Sequence, residues 1–310
     1  NDYYVNALEM DRNERLKAWE NARKHTLEFV YFLQQELGFK NLGLAENEFP
    51  TDDHLALIPY HRESRRIKGL QTLILSDITH PYAHPERALF KYGIAVGDYP
   101  LDHHHECVSL PEPEVFPPVP AFNVPAGALI PQGVEGLLAA EKSISVSHVV
   151  NGCSRLQPVV MQIGQAAGVL AALSIKQNSS TASLNIRSVQ QVLLDAGCWQ
   201  MPFNDINPAD PWFQSCQRIG LCGIMEGEPL SEAWANKFLF HPLSNVELEE
   251  FTSFLDKAAG SSDISSLSKK SDSGLVLSEA CRCVGERLGK NGTEAFAYFS
   301  ANEAFRHYLE

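Results

Sequence analysis

Residues 154–176, SRLQPVVMQIGQAAGVLAALSIK, constrain the fold more than any other stretch of the chain. The segment reads as one apolar helix, yet it holds Gly164 and Gly168, and each glycine costs roughly 1 kcal/mol relative to alanine in a helix interior. Glycine at such positions points to close approach of another backbone or of a large flat ligand. Pro158 suits a first helical turn, where its missing N–H costs nothing. The N–H groups of Val159 to Met161 then project from the helix start with the positive end of the macrodipole, and Arg155 and Gln157 stand just before them as donors. Such a start stabilises an anion or an electron-rich ring edge. A helix that uses glycine only for tight packing on a sheet is the alternative, and the residues alone leave both open.

A chain of 310 residues is long enough for one large domain or two ordinary ones, and 44% hydrophobic with 20% charged residues is a soluble, globular composition. The net charge of −13 and pI near 5.3 argue against a nucleic-acid surface, which needs clustered Lys and Arg. No membrane span is expected either, because the longest apolar run, 159–175, is short and interrupted by Gln162 and Gln165. The seven cysteines lack paired Cys-x-x-Cys spacing, so no metal site is expected from them. The chain starts without Met or a signal peptide, in charged sequence with the look of a structured segment, and reads as the interior of a longer protein.

Along the chain, the spacing of Leu16, Trp19, Leu27, Val30, Phe32 and Leu33 predicts an amphipathic helix over 12–37, packed on a core and stopped by Gly38. A β-rich run follows at Leu70–Leu75, then FKYGIAVGDYPLDHHHECVSL, which suggests two short strands around Gly97-Asp98. The Pro-rich stretch near 110–136 is expected to be extended, and GLLAAEKSISVSHVV to hold a buried strand and the turn leaving it. Beyond Thr181 the text changes to short helices joined by loops, with a Ser/Lys-rich linker at 260–274. The expected division is 1–180, a connector at 181–209 and a small helical appendage at 210–310.

Two clusters carry candidate chemistry. HRESRRI sets Arg62, Arg65 and Arg66 around Glu63, so Arg65 either binds a substrate carboxylate or developing anion, or joins an ion cluster with Glu63. In DHHHE, if extended, His103 and His105 share one face. One of them is a candidate general base, against the alternative of a polar strand end; a metal at this His-x-His pair would need further ligands that the sequence does not place.

The segment ALIPQGVEGLLAAEKSISVSHVVNGCSRLQPVVMQIGQAAGVLAAL resembles the C-terminal signature of a family of FAD-dependent oxidoreductases, through Pro131, Gly133, Leu137, Leu138, Ala140, Ile144, Ser145, His148, Gly152, Ser154, Arg155, Gln157, Pro158, Met161 and the run Gly164–Gly168. Upstream, IPYHRESRRIKG and GIAVGDYPLDHHH are similar to further family motifs in the same order, so the likeness covers about 58–176. The resemblance implies an α/β (α+β) fold: the C-terminal portion of an FAD-binding oxidoreductase with a substrate-side sheet, plus the helical C-terminal domain. It implies FAD as cofactor, held by Glu141, Lys142, Ser154, Arg155, Gln157, Pro158 and Val159. The helix start would lie under the pyrimidine edge of the flavin, where reduction places negative charge. It further implies hydride transfer to flavin from a small substrate, with carbohydrate-derived compounds as a candidate class, and places Arg62, Arg65 and His103 or His105 on the substrate side. It also suggests a periplasmic or cell-envelope location.

Two departures bear on this. Glu141-Lys142 replaces the family's Gly-Arg, and no GxGxxG phosphate-binding fingerprint occurs in the chain. The chain alone is therefore expected to hold FAD weakly or not at all, unless a missing N-terminal FAD-binding segment or a separate chain completes it. The alternative reading is a non-catalytic cell-envelope or carbohydrate-binding protein with a decayed flavoprotein fold. QRIGLCGIMEG followed by AWANKFLFHPLSNVELEEF is similar, over a short stretch, to S-layer homology modules, which bind envelope polysaccharide; the alternative there is a helical appendage packed on the oxidoreductase.

Overall fold

The computed structural model describes residues 3–63, 65–103, 116–232 and 234–259. The chain forms two compact units, Asn1–Arg66 with Asp102–Val115, and Ile67–Leu101 with the chain from Phe116 onward. In the first unit, α1 spans Arg12–Gln35 and starts with a capping box: the Asp11 carboxylate accepts from the N–H groups of Asn13 and Glu14, and Glu14 accepts from the Asp11 N–H. The helix is thus specified locally, and Gly38 follows its end at φ +76°. The expected packing on a core is not found, since α1 has no buried residue and Leu16, Leu27 and Phe32 remain exposed. Its apolar positions are too dispersed to make a deep stripe. Arg23 bonds Asp53 and the Ala56 carbonyl, and this tie holds the helix to the loop at 51–56 and pulls the Asp53 carboxyl below its usual range.

In the second unit the Leu70–Leu75 run is not a strand. It makes isolated bridges, Gly69 with Pro131 and Leu73 with Val146, and then turns into the short helix α2, Leu75–Thr79. Arg87 reaches back to the Asp77 carboxylate and the Thr72 carbonyl, fixing that turn. Strand β1, Gly93–Gly97, pairs antiparallel with β2, Phe122–Pro125, with an irregularity between Gly93 and Ala95. The partner of β1 is therefore distant in sequence, and the second strand expected after Gly97-Asp98 falls largely at 104–109, outside the described residues. The region around 141–147 holds a short 3-10 turn and one bridge instead of the expected strand.

The expected single helix over 154–176 is two: α3, His148–Ser154, and α4, Gln157–Gln177. Pro158 explains the break. Continuing α3 would place its ring against the Ser154 carbonyl and forfeit that hydrogen bond, so the chain extends at Leu156 (φ −65°, ψ 145°) and restarts. Asn178, in the left-handed conformation, closes α4. Val159, Ile163, Ala166 and Leu170 form its buried stripe and join Ile94, Val124 and Leu129 in one core. By length and composition α4 alone, among the described helices, is apolar enough to cross a membrane.

After α4 come α5, Ile186–Asp195, and α6, Phe213–Cys222, then a hairpin of β3, Glu228–Leu230, and β4, Lys237–Leu239, and finally α7, Leu248–Ala259. A second core gathers Phe90 and Ala121 with Met201, Phe203, Phe213 and Phe238. It joins the 199–240 region to the β1–β2 pair, a contact made through side chains far apart in sequence. The described part is thus mixed helix with two small two-stranded sheets. The 260–274 linker lies outside the described residues.

Candidate functional site

Helix α4 begins beside the end of β1. Gln162 clamps the two together: its side-chain oxygen accepts from the Val96 N–H at 3.1 Å and its amide donates to the Val96 carbonyl at 3.2 Å. The close approach expected of Gly164 and Gly168 occurs elsewhere. A Cβ at either helix glycine would meet nothing within 4 Å among the described residues, whereas one at Gly97 would come within 2.7 Å of the Phe122 ring and 3.0 Å of Val159 Cγ2. The small residue that lets helix and strand meet is on the strand. Gly164→Ala and Gly168→Ala are therefore expected each to raise the unfolding free energy by about 1 kcal/mol, the helix-propensity difference, read as an increase in urea midpoint. A decrease would show that this face is covered by another surface in solution.

A cleft of about 310 Å³ opens where these elements meet. Its walls are Val96, Gly97 and Asp98 at the end of β1, Leu156, Pro158, Val159 and Gln162 at the start of α4, and Trp199, Pro202 and Asn204 from the segment after α5, with Ala121 below. Of the seven cofactor candidates, Pro158 and Val159 line this cleft; the other five do not. Ser154 and Arg155 are buried in the body of the unit, at 3% and 6% exposure, while Gln157 is exposed at the first turn of α4. Sequence reasoning did not single out Trp199, Asn204 or Asp98; only the GDYP motif around Asp98 carried a signal.

Glu141 and Lys142 form an ion pair at 3.3 Å in the 3-10 turn before α3, and Glu141 adopts φ +58°. That conformation costs a non-glycine residue about 1 kcal/mol. Asn151 links this turn to α3 by donating to the Lys142 carbonyl at 3.3 Å, while its own side-chain oxygen is buried with no hydrogen-bond partner. Cys153 beside it is unexposed, and burial pushes its thiol up to about 12; burial likewise raises Cys216 to about 11. Neither is a thiolate nucleophile at neutral pH.

In the first unit, Glu63 pairs with Arg66 at 3.2 Å and faces His103 Nδ1 at 3.4 Å, the His103 side chain being nearly inaccessible. The ion cluster forms with Arg66 rather than Arg65, whose guanidinium donates to the Leu8 carbonyl at 3.1 Å. Arg62 is likewise engaged in an interaction of its own. His105 lies outside the described residues.

The α4 start, the Arg155 guanidinium and Gln157 offer donors suited to the electron-rich edge of a flavin ring, and Asn151 has an unsatisfied acceptor suited to a hydroxyl. They fit that end of the cofactor. For the phosphates the fit fails, because among the described residues no cation lines the cleft and the sequence holds no GxGxxG fingerprint.

An apolar helix thus starts without a side-chain cap beside a strand end, with a buried arginine just before it. A family model described as FAD dependent oxidoreductase matches residues 1–193. The chain belongs to that family. No curated protein and no solved structure matches it.

Proposed function

We propose that this chain forms the flavin-edge and substrate-side part of an FAD-dependent oxidoreductase acting on a small molecule. The observation that supports it most is the α3–α4 break, which leaves a helix start without a side-chain cap directly after the buried Arg155, inside the span matched by the family. When bound, FAD supplies the hydride acceptor. In this reading Arg155, Gln157 and the α4 start hold the negative charge that builds on the ring edge, and Asn151 with Ser154 and the Glu141-Lys142 turn receives the ribityl hydroxyls. Pro158 and Val159 set the approach of the helix start. His103, oriented by Glu63, takes the substrate proton, and Arg62 and Arg65 steer an anionic or polarised group; His105 is the alternative base. The phosphate-binding loop is supplied by a segment or chain outside these 310 residues.

Flavin retention tests the proposal. The purified chain is mixed with FAD, desalted and scanned at about 450 nm, where oxidised flavin absorbs, with free riboflavin as a second ligand. Binding of both ligands, weak for FAD for want of its phosphate cradle and reduced in Arg155→Met, is the expected result. If neither binds and the chain is folded by circular dichroism, the flavin reading is overturned and a non-catalytic binding protein takes its place.

A further inference from the structure

The cleft at the α4 start has a chemistry the flavin reading does not use. Its floor and walls are apolar, with one indole, Trp199, half-buried and set edge-on against Phe213 at 5.2 Å. Asp98 is its one charged side chain, and among the described residues no cation balances it. The backbone carrying Asp98 is rigidly held: Gln162 bonds Val96 on both sides, and Asn236 donates twice to the Asp98 carbonyl, at 3.1 and 3.0 Å. Asn204 is fixed as well. Its N–H donates to the Phe238 carbonyl at 3.0 Å and its side-chain oxygen accepts from the Phe238 N–H at 2.8 Å, so the amide nitrogen remains as a donor.

We infer that this cleft is a binding site for a small aromatic amine, with the ring held in the apolar walls against Trp199, the ammonium at Asp98 and a hydroxyl or carbonyl acceptor at the Asn204 amide. The volume lies at the lower end of the range of small-molecule pockets, which have mostly apolar walls and a few fixed polar groups. Flat apolar rings bind well against an indole. A carboxylate without a counter-cation favours a cation and repels an anion, and its backbone is held in place at the cleft. Trp199, Pro202 and Asn204 lie beyond residue 193, where the family match ends, so one wall of the site is built by the segment that follows it. The site shares Pro158 and Val159 with the flavin reading but needs no bound FAD.

Calorimetric titration of the full chain with tyramine and with 4-hydroxyphenylacetate decides it. The two probes share the phenol and differ in the sign of their charge. Tyramine is expected to bind with a Kd of about 0.1–1 mM and the acid at least about tenfold more weakly. Asp98→Asn, at an exposed position, brings the two within about twofold of each other. Trp199→Ala lowers tyramine affinity by about tenfold, and Trp199→Phe restores most of it. Equal binding of both probes, no binding of tyramine, or an Asp98→Asn chain that keeps the full preference overturns the site. So does displacement of tyramine by riboflavin, which would make the cleft the flavin's own. Flavin binding that leaves tyramine in place supports both readings, and tyramine binding without flavin binding supports this one alone.

Discussion

Phe203→Ala is expected to destabilise the second unit by about 3–5 kcal/mol, the cost of emptying a fully buried aromatic site. The ring has no exposure and packs with Phe238 at 6.0 Å and Phe240 at 4.8 Å. Two glycines are cut to its shape: a Cβ at Gly220 would sit 2.6 Å from it and one at Gly227 2.7 Å. These backbones cannot collapse into the hole without pulling on α6 and the β3–β4 hairpin, so the cavity term is expected in full. Since Phe90 and Ala121 belong to the same core, the loss should be felt by the β1–β2 pair as well. Urea unfolding followed by circular dichroism should show one transition moved to lower denaturant. A wild-type chain that unfolds in two steps, with only the weaker one moved by Phe203→Ala, would mean that the 199–240 region folds by itself.

The second large effect is expected at Gln217 on α6, which has no exposure and serves as a cap for the chain entering the second core. Its side-chain oxygen accepts from the N–H groups of Gln200 at 2.9 Å and Met201 at 2.7 Å, and its amide donates to the Met201 carbonyl at 3.0 Å. Gln217→Met keeps the length and removes all three bonds. Two backbone donors are then left buried without partners, at about 1–3 kcal/mol each, so a loss of roughly 3 kcal/mol is expected in the same urea assay. A loss below about 1 kcal/mol, the worth of one ordinary hydrogen bond, would show that water enters and replaces the side chain. Because Trp199 and Pro202 flank these residues, weakened tyramine binding should accompany the loss.

What could be read from the chain and what could not follows a physical line. The α4 helix, its Pro158 start and the likeness to FAD-dependent oxidoreductases were legible, because helix periodicity, proline geometry and a run such as SRLQP…GQAAG are local and survive in the order of residues. The α1 helix was legible too, through its apolar spacing and Gly38, but its packing was not: amphipathic spacing says that a face exists, not what covers it. The short helix α3 was missed, because the stretch before Pro158 reads as a buried strand and the turn leaving it. Leu70–Leu75 has the composition of a strand, and it became a pair of bridges and a turn because Arg87 binds Asp77 and the Thr72 carbonyl from outside the run.

Sequence alone thus determined the elements whose hydrogen bonds close within a few residues, and with them the cofactor class implied by the family. Tertiary structure alone decided which distant residues share a surface. Strand β1 found β2 some 25 positions on, Gly97 rather than Gly164 or Gly168 gave the helix its close approach, and Trp199 and Asn204 came to stand across from Asp98. None of these pairings leaves a periodic or spaced trace in the sequence. They are set by burial of Phe203 and its neighbours, by satisfaction of buried amides such as Gln217 and Asn236 and by the Gln162 clamp on Val96, terms that exist only once the chain has folded back on itself.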